Sequence, residues 1–179
     1  MRAIVAIALL GASFSLPAHA RLKNAAANGF QLESSVVVPV SPQRAFEALG
    51  QPRLWWHPDH TYSGSAANLR LGLRAGDCFC ETVPADGGSI EHGRVVYSRP
   101  GQTLRLQAAL GPLQSMAVTG TLTWSLKQVA GGTQVTQTYV VGGYFPDGAL
   151  PIAPMVDQVM TMQLARFRDS LAAPSKPRN

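Results

Sequence analysis

From Phe30 to Val40 the chain alternates apolar and polar positions. Phe30, Leu32, Val36, Val38 and Val40 share one face, with Gln31, Glu33 and Ser35 opposite. That period of two predicts a half-buried strand. In "SPQRAFEAL", Ser41 sits at an N-cap, Pro42 at the first helical position, and Ala45, Phe46 and Leu49 are apolar; Gly50 stops this short helix. "QPRLWW" predicts a second short helix, ended by Pro58. After residue 64 the period of two returns. Leu69, Leu71 and Leu73 alternate with Arg70, Gly72 and Arg74, and Ala75-Gly76 turns into "DCFCETV". "PADGG" leads to Gly93, Val95 and Tyr97 against Arg94 and Val96, and "RPGQ" to Leu104 and Leu106 against Arg105 and Gln107. Val118, Leu122, Trp124 and Leu126 oppose Thr119, Thr121, Thr123 and Ser125, and "AGG" precedes a last strand, Thr133 to Val141. Strands at this spacing, joined by Gly/Pro turns, predict an antiparallel meander with one wet and one dry face. From Pro151 to Ala172 the spacing becomes helical, through Ile152, Met155, Val156, Val159, Met160, Met162, Leu164, Phe167 and Leu171. The predicted class is α+β: a curved antiparallel sheet wrapped around a long C-terminal helix, with two short helices after the first strand.

The two ends read differently. Met1-Arg2 is a short positive start, Ala3 to Phe14 an apolar run, and "PAHA" offers small residues at Ala18 and Ala20. That pattern predicts a signal peptide over residues 1–20, cleaved after Ala20, and therefore a periplasmic or secreted protein without stable membrane insertion. Residues 21–28 read as a flexible leader, 29–173 as a single domain and 174–179 as a frayed tail. The formal net charge of +5 is scattered, with no run of Lys or Arg, so a nucleic-acid partner is not expected.

The order of elements resembles the START-like helix-grip superfamily known as SRPBCC. "SPQRAFEALGQPRLWW", "GDCFCETVP", "EHGRVVYSRPGQTLRL" and "GGTQVTQTYVVGGYF" are similar to its polyketide-cyclase and heat-shock-ATPase-activator-like branch. The resemblance covers about residues 30–172 and carries no catalytic signature. It implies a cavity between sheet and C-terminal helix that holds apolar small molecules. It also includes chaperone activators, a role that export disfavours because their partner is cytosolic.

Four groups of residues carry candidate chemistry. Cys78 and Cys80 stand two apart in a predicted strand, where side chains lie about 6.5 Å apart. A disulfide needs β-carbons at about 3.8 Å, so two free, buried thiols are expected, with a soft-metal C-x-C site as the alternative. His57, Asp59 and His60 suit either a turn or the start of a zinc site that His92 would complete. Pro58 separates the two histidines, so a partly exposed, metal-free turn is expected. Glu81 points inward if Phe79 does, because strand side chains repeat every second residue. An inward carboxylate would be a ligand anchor, a structural partner or a general acid or base. The opposite register would bury Cys78, Cys80 and Thr82 instead.

The last group is the wall of the expected cavity. Leu71, Val95, Tyr97, Leu106, Leu122 and Trp124 fall on inward faces, with Val36, Val38, Leu69 and Leu104 in line. Met155, Val159 and Met162 approach from the helix, Trp55 and Trp56 close one end, and Tyr139, like Tyr144, offers a polar tip on an aromatic wall. Gly93, Gly120, Gly142 and Gly143 remove side chains from strand positions, which argues for a void. The function these features predict is an exported carrier of an apolar small molecule (lipid, aromatic or polyketide-like), without a cofactor, as a monomer or weak dimer. The alternatives are a cyclase or dehydratase-type enzyme using Glu81 and a tyrosine, and a protein-interaction module with a packed cavity.

Overall fold

The computed structural model describes residues 19–172. One eight-stranded antiparallel sheet carries the fold. Its strands are β1 (His19–Ala26), β2 (Gly29–Val38), β3 (Leu69–Leu71), β4 (Cys78–Val83), β5 (Gly88–Arg99), β6 (Thr103–Ala108), β7 (Val118–Val129) and β8 (Gly132–Gly143). Their order across the sheet is β1-β2-β8-β7-β6-β5-β4-β3. A short helix, α1 (Pro42–Leu49), follows β2, and a long one, α2 (Ala153–Ala172), closes the chain. This is a helix-grip arrangement. The expected signal peptide lies outside the described residues except at His19 and Ala20, and the expected tail lies wholly outside them.

Most of the alternation has become burial. Phe30, Leu32, Val36 and Val38 point inward on β2, as do Leu69 and Leu71 on β3, Leu104 and Leu106 on β6, and Leu122 and Trp124 on β7. Met160, Leu164 and Phe167 of α2 meet them from above. At ~25 cal/mol per Å², this contiguous apolar burial is the main favourable term for the fold. Ser41 caps α1 as its side chain accepts from the Arg44 backbone N–H, and Ala45, Phe46 and Leu49 bury one face of that helix.

Three expectations need correction. Residues 21–28 are not a loose leader, because His19–Ala26 pairs antiparallel with β2 as an edge strand. It went unrecognised because "RLKNAAAN" has no alternating apolar face; pairing with β2 rather than burial orders it. "QPRLWW" forms only a single helical turn at Pro52–Leu54. The strand glycines do not open a void. A β-carbon on Gly120 would lie 2.6 Å from the Tyr139 ring, and one on Gly93 would lie 2.6 Å from the Ala108 β-carbon. Neighbours already occupy that space.

The cysteines are the fourth correction. Cys78 and Cys80 form a disulfide, with Cα atoms 5.5 Å apart. A regular strand would hold the two side chains too far apart, but the β4–β5 ladder is irregular here. Phe79 faces Gly93 while Cys80 faces Glu91, so β5 carries one extra residue, His92, against β4. That is a β-bulge, which bends the ladder and changes side-chain direction locally.

Candidate functional site

A cleft of about 450 Å³ opens at one end of the sheet, not along its middle. Ile152, just before α2, and Met155, Val156, Val159 and Met160 of its first turns form one wall. Opposite stand the 56–62 segment, through Trp56, Asp59, His60, Thr61 and Tyr62, and the 110–112 segment, through Leu110, Gly111 and Pro112. The two segments are tied together, since the Tyr62 hydroxyl donates to the Gly111 carbonyl at 3.1 Å. His92 completes the lining. A mostly apolar concavity with a few convergent polar groups is the usual form of a small-molecule site.

The bulge explains how His92 arrives there. Normal alternation would turn either His92 or Gly93 outward, yet both are buried. His92 packs beside Phe79, with ring centroids 5.0 Å apart, and beside Tyr62 at 5.9 Å. Its Nε2 lies 2.9 Å from Glu81 Oε2. Glu81 is 0% exposed, and its carboxylate also accepts the backbone N–H of Tyr62 at 3.1 Å and of Ser63 at 2.5 Å. Burial alone would push the Glu81 pKa up. The bonds from Ser63, Tyr62 and His92 outweigh it and hold the carboxyl below its ordinary value, so Glu81 is ionised. Burial also holds the His92 imidazole below its ordinary value, against the pull of Glu81. The pair is therefore a neutral histidine held by a charged carboxylate.

The remaining candidate residues divide clearly. Of the residues expected to line a cavity, Trp56, Met155 and Val159 do line the cleft. Phe79 and Glu81 face inward, settling the register of β4, and stand behind His92. Leu71, Val95, Leu106 and Leu122 are packed core. Trp55 is core too, its indole N–H donating to the Ala48 carbonyl. Trp124 donates to Gln137 Oε1 at 3.0 Å, and Gln137 Nε2 donates to the Met160 carbonyl at 3.0 Å. Tyr139 donates to the Ala108 carbonyl and accepts from the Leu110 N–H, and burial pushes its phenol up to about 12. Met162 is half-buried and outside the cleft, where Met160, two residues earlier, takes the place expected of it.

Tyr97 is a further correction. It is 42% exposed, with the Arg105 guanidinium over its ring. A second bulge is the cause: Val95 faces Leu106 but Tyr97 faces Arg105, so Val96 is extra and Tyr97 turns to the outer face. Tyr144, also expected near the interior, is exposed.

The "WWHPDH" stretch is a turn. Pro58–His60 makes a single helical turn capped by His57, whose Nδ1 accepts from the Asp59 N–H. Gln163 of α2 accepts the His57 N–H at 2.8 Å, and Arg166 donates to the Trp55 carbonyl, so α2 pins the turn in place. The Trp56 indole N–H is spent within it, on the His60 carbonyl at 2.9 Å. His57 is half-buried, and Asp59 and His60 are exposed at the rim of the cleft. Among the described residues no three His, Cys, Asp or Glu side chains gather as a metal site.

The fold has precedents among solved structures. A protein from Mesorhizobium loti superposes with a TM-score of 0.58 at 17% identity, covering 79% of this chain and 96% of its own. A conserved protein of unknown function from Enterococcus faecalis gives 0.58 at 13% identity, over 89% and 80% of the two chains. The di-domain ARO/CYC StfQ of the steffimycin biosynthetic pathway gives 0.55 at 13% identity, over 82% of this chain and 51% of StfQ. No family model matches the sequence, and no curated protein matches it. At these identities the likeness is one of fold.

Proposed function

We propose that this protein is an exported binding protein that holds an apolar small molecule in the cleft between the start of α2 and the 56–62 and 110–112 segments. The observation that carries this reading is the cleft itself, about 450 Å³ with one wall made of Ile152 and four apolar side chains of α2. Desolvating an apolar guest against such a wall yields ~25 cal/mol per Å² of buried apolar area. Met155 and Met160 suit a wall that repacks around guests of differing shape. The Cys78–Cys80 disulfide supports an oxidising compartment, in keeping with the signal-like start of the chain.

A second reading, an acid–base enzyme, draws on the same corner of the molecule. Glu81 is enclosed by its donors and no tyrosine hydroxyl bonds to it among the described residues, so a Glu81–tyrosine mechanism finds no support. A proton transfer in this cleft would pass through His92 instead.

Titration with an apolar fluorescent probe tests the binding reading. The probe should bind one-to-one and quench Trp56, and Val159→Trp, which fills the cleft, should abolish binding while the fold persists. Binding that survives Val159→Trp would remove the cleft as the site.

A further inference from the structure

His92 has two ring nitrogens, and the structure commits one of them. Nε2 points at Glu81 Oε2, 2.9 Å away, and that same oxygen accepts the Tyr62 N–H. An ionised carboxylate can only accept, so the hydrogen of a neutral imidazole sits on Nε2. Nδ1 is left with a lone pair, and among the described residues no donor bonds to it. Histidines oriented by a buried carboxylate are fixed in tautomer in this way.

From this geometry we infer that the guest of the cleft is a neutral apolar molecule carrying an O–H donor, which His92 Nδ1 receives. The inference rests on the cleft being a binding site. The surroundings exclude charged guests and guests without a donor. An anion would meet the Nδ1 lone pair and the Glu81 charge behind it. A cation would lose its hydration against the apolar wall of Ile152, Met155, Val156, Val159 and Met160. A molecule without a donor would leave the lone pair dry and unpaired, which costs more than a good hydrogen bond returns. Nearby polar groups do not compete. The Tyr62 hydroxyl is turned to Gly111, and Asp59 and His60 lie at the exposed rim. His92 also borders a smaller cavity of about 230 Å³, but Glu91, Gln107, Gln114 and Thr119 line that one, and they suit water rather than an apolar guest.

Calorimetric titration with 2-naphthol and its methyl ether, 2-methoxynaphthalene, separates the two claims. At pH 7.5 the native protein should bind the naphthol about tenfold more tightly than the ether, the worth of one sheltered hydrogen bond. His92→Phe, whose ring still packs beside Phe79 and Tyr62, should bind both alike. If neither compound binds, the cleft reading falls. If both bind equally to the native protein, the cleft stands and the O–H inference falls. A preference that persists in His92→Phe places the acceptor elsewhere and also overturns it. Should that variant not fold, the native protein at low pH gives the same test, because protonated His92 turns Nδ1 into a donor. The ionisable groups around it are Glu81 from β4 and Asp59, His60 and Tyr62 from the facing segment; the cleft wall of α2 is apolar, and the half-buried Asp157 in those same turns has its pKa raised by burial. The preference should shrink on acidification, and one that is unchanged there rejects His92.

Discussion

The centre of the sheet and its bulged corner both bury polar groups, but they close them differently. At the centre, Trp124, Gln137 and the Met160 carbonyl form a chain running from β7 through β8 to α2, and the Tyr139 hydroxyl bridges Ala108 and Leu110. In that chain each side-chain donor finds an acceptor within the protein. At the corner, Glu81 gathers three donors, but its partner His92 keeps one ring nitrogen for something outside the chain. Buried polarity closed on itself fixes architecture, since each bond holds one element against another. Buried polarity left open toward a cleft is where a guest can matter. Trp124 and Tyr139 looked like cavity residues in the sequence for the same reason that makes them good core residues: each is a large apolar body with a tip that needs a partner.

The largest expected effect lies at the centre. Trp124→Ala removes an indole that packs at 6.4 Å against Trp55 and leaves Gln137 without its donor. It should cost about 3–5 kcal/mol in chemical denaturation. A loss under 1 kcal/mol would mean that the centre is looser than its burial implies. Next comes Tyr139→Phe, which strands the Ala108 carbonyl and the Leu110 N–H. It should cost about 1–3 kcal/mol while leaving the naphthol preference intact. If the preference also vanishes, the two regions are not independent and the contrast drawn between them fails.

The smallest effect separates the corner by pH. Glu81 and His92 both titrate below their ordinary values of 4.5 and 6.5 in the folded state. The unfolded chain therefore takes up protons first as the pH falls, and stability drops with acidification. It should be full above about pH 6.5, decline first as His92 titrates and decline again as Glu81 does. Urea midpoints measured from pH 8 to pH 4 should show a shallower upper decline in His92→Phe than in the native protein. Identical curves would mean that His92 is not desolvated as the structure has it.

The seven strands from β2 to β8 and the long helix were legible because burial on one face writes its period directly into the sequence. The same rule tied Glu81 to Phe79 but left open which face of β4 points inward. β1 was not legible, because an edge strand held by backbone pairing needs no apolar face. Of the cleft, Trp56, Met155 and Val159 were found, since large apolar residues flanking a turn and a helix face suggest a pocket. His92 was weighed only as a distant zinc ligand. The signal was present in "EHGR": a glycine inside a strand pattern often marks a bulge, and a bulge beside a histidine changes where the histidine points. The same oversight misplaced Tyr97 and ruled out the disulfide. His92 and Tyr97 lie in β5, which carries both extra residues, and the cysteines lie in β4, whose ladder with β5 is irregular beside them.

β5 behaves like a wave with two phase slips. Its even-numbered side chains face in up to His92, its odd-numbered ones at Gly93 and Val95, and the even-numbered again by Ser98, opposite Leu104. The slips cancel, so both ends of the strand stay in step with their neighbours while the short middle runs in antiphase. Each slip is a single extra residue absorbed where it stands, so deleting His92 or Val96 would restore regular pairing there and leave the residues beyond facing as before. The cleft's one inward-facing base thus rests on a single extra residue that the sheet carries without needing.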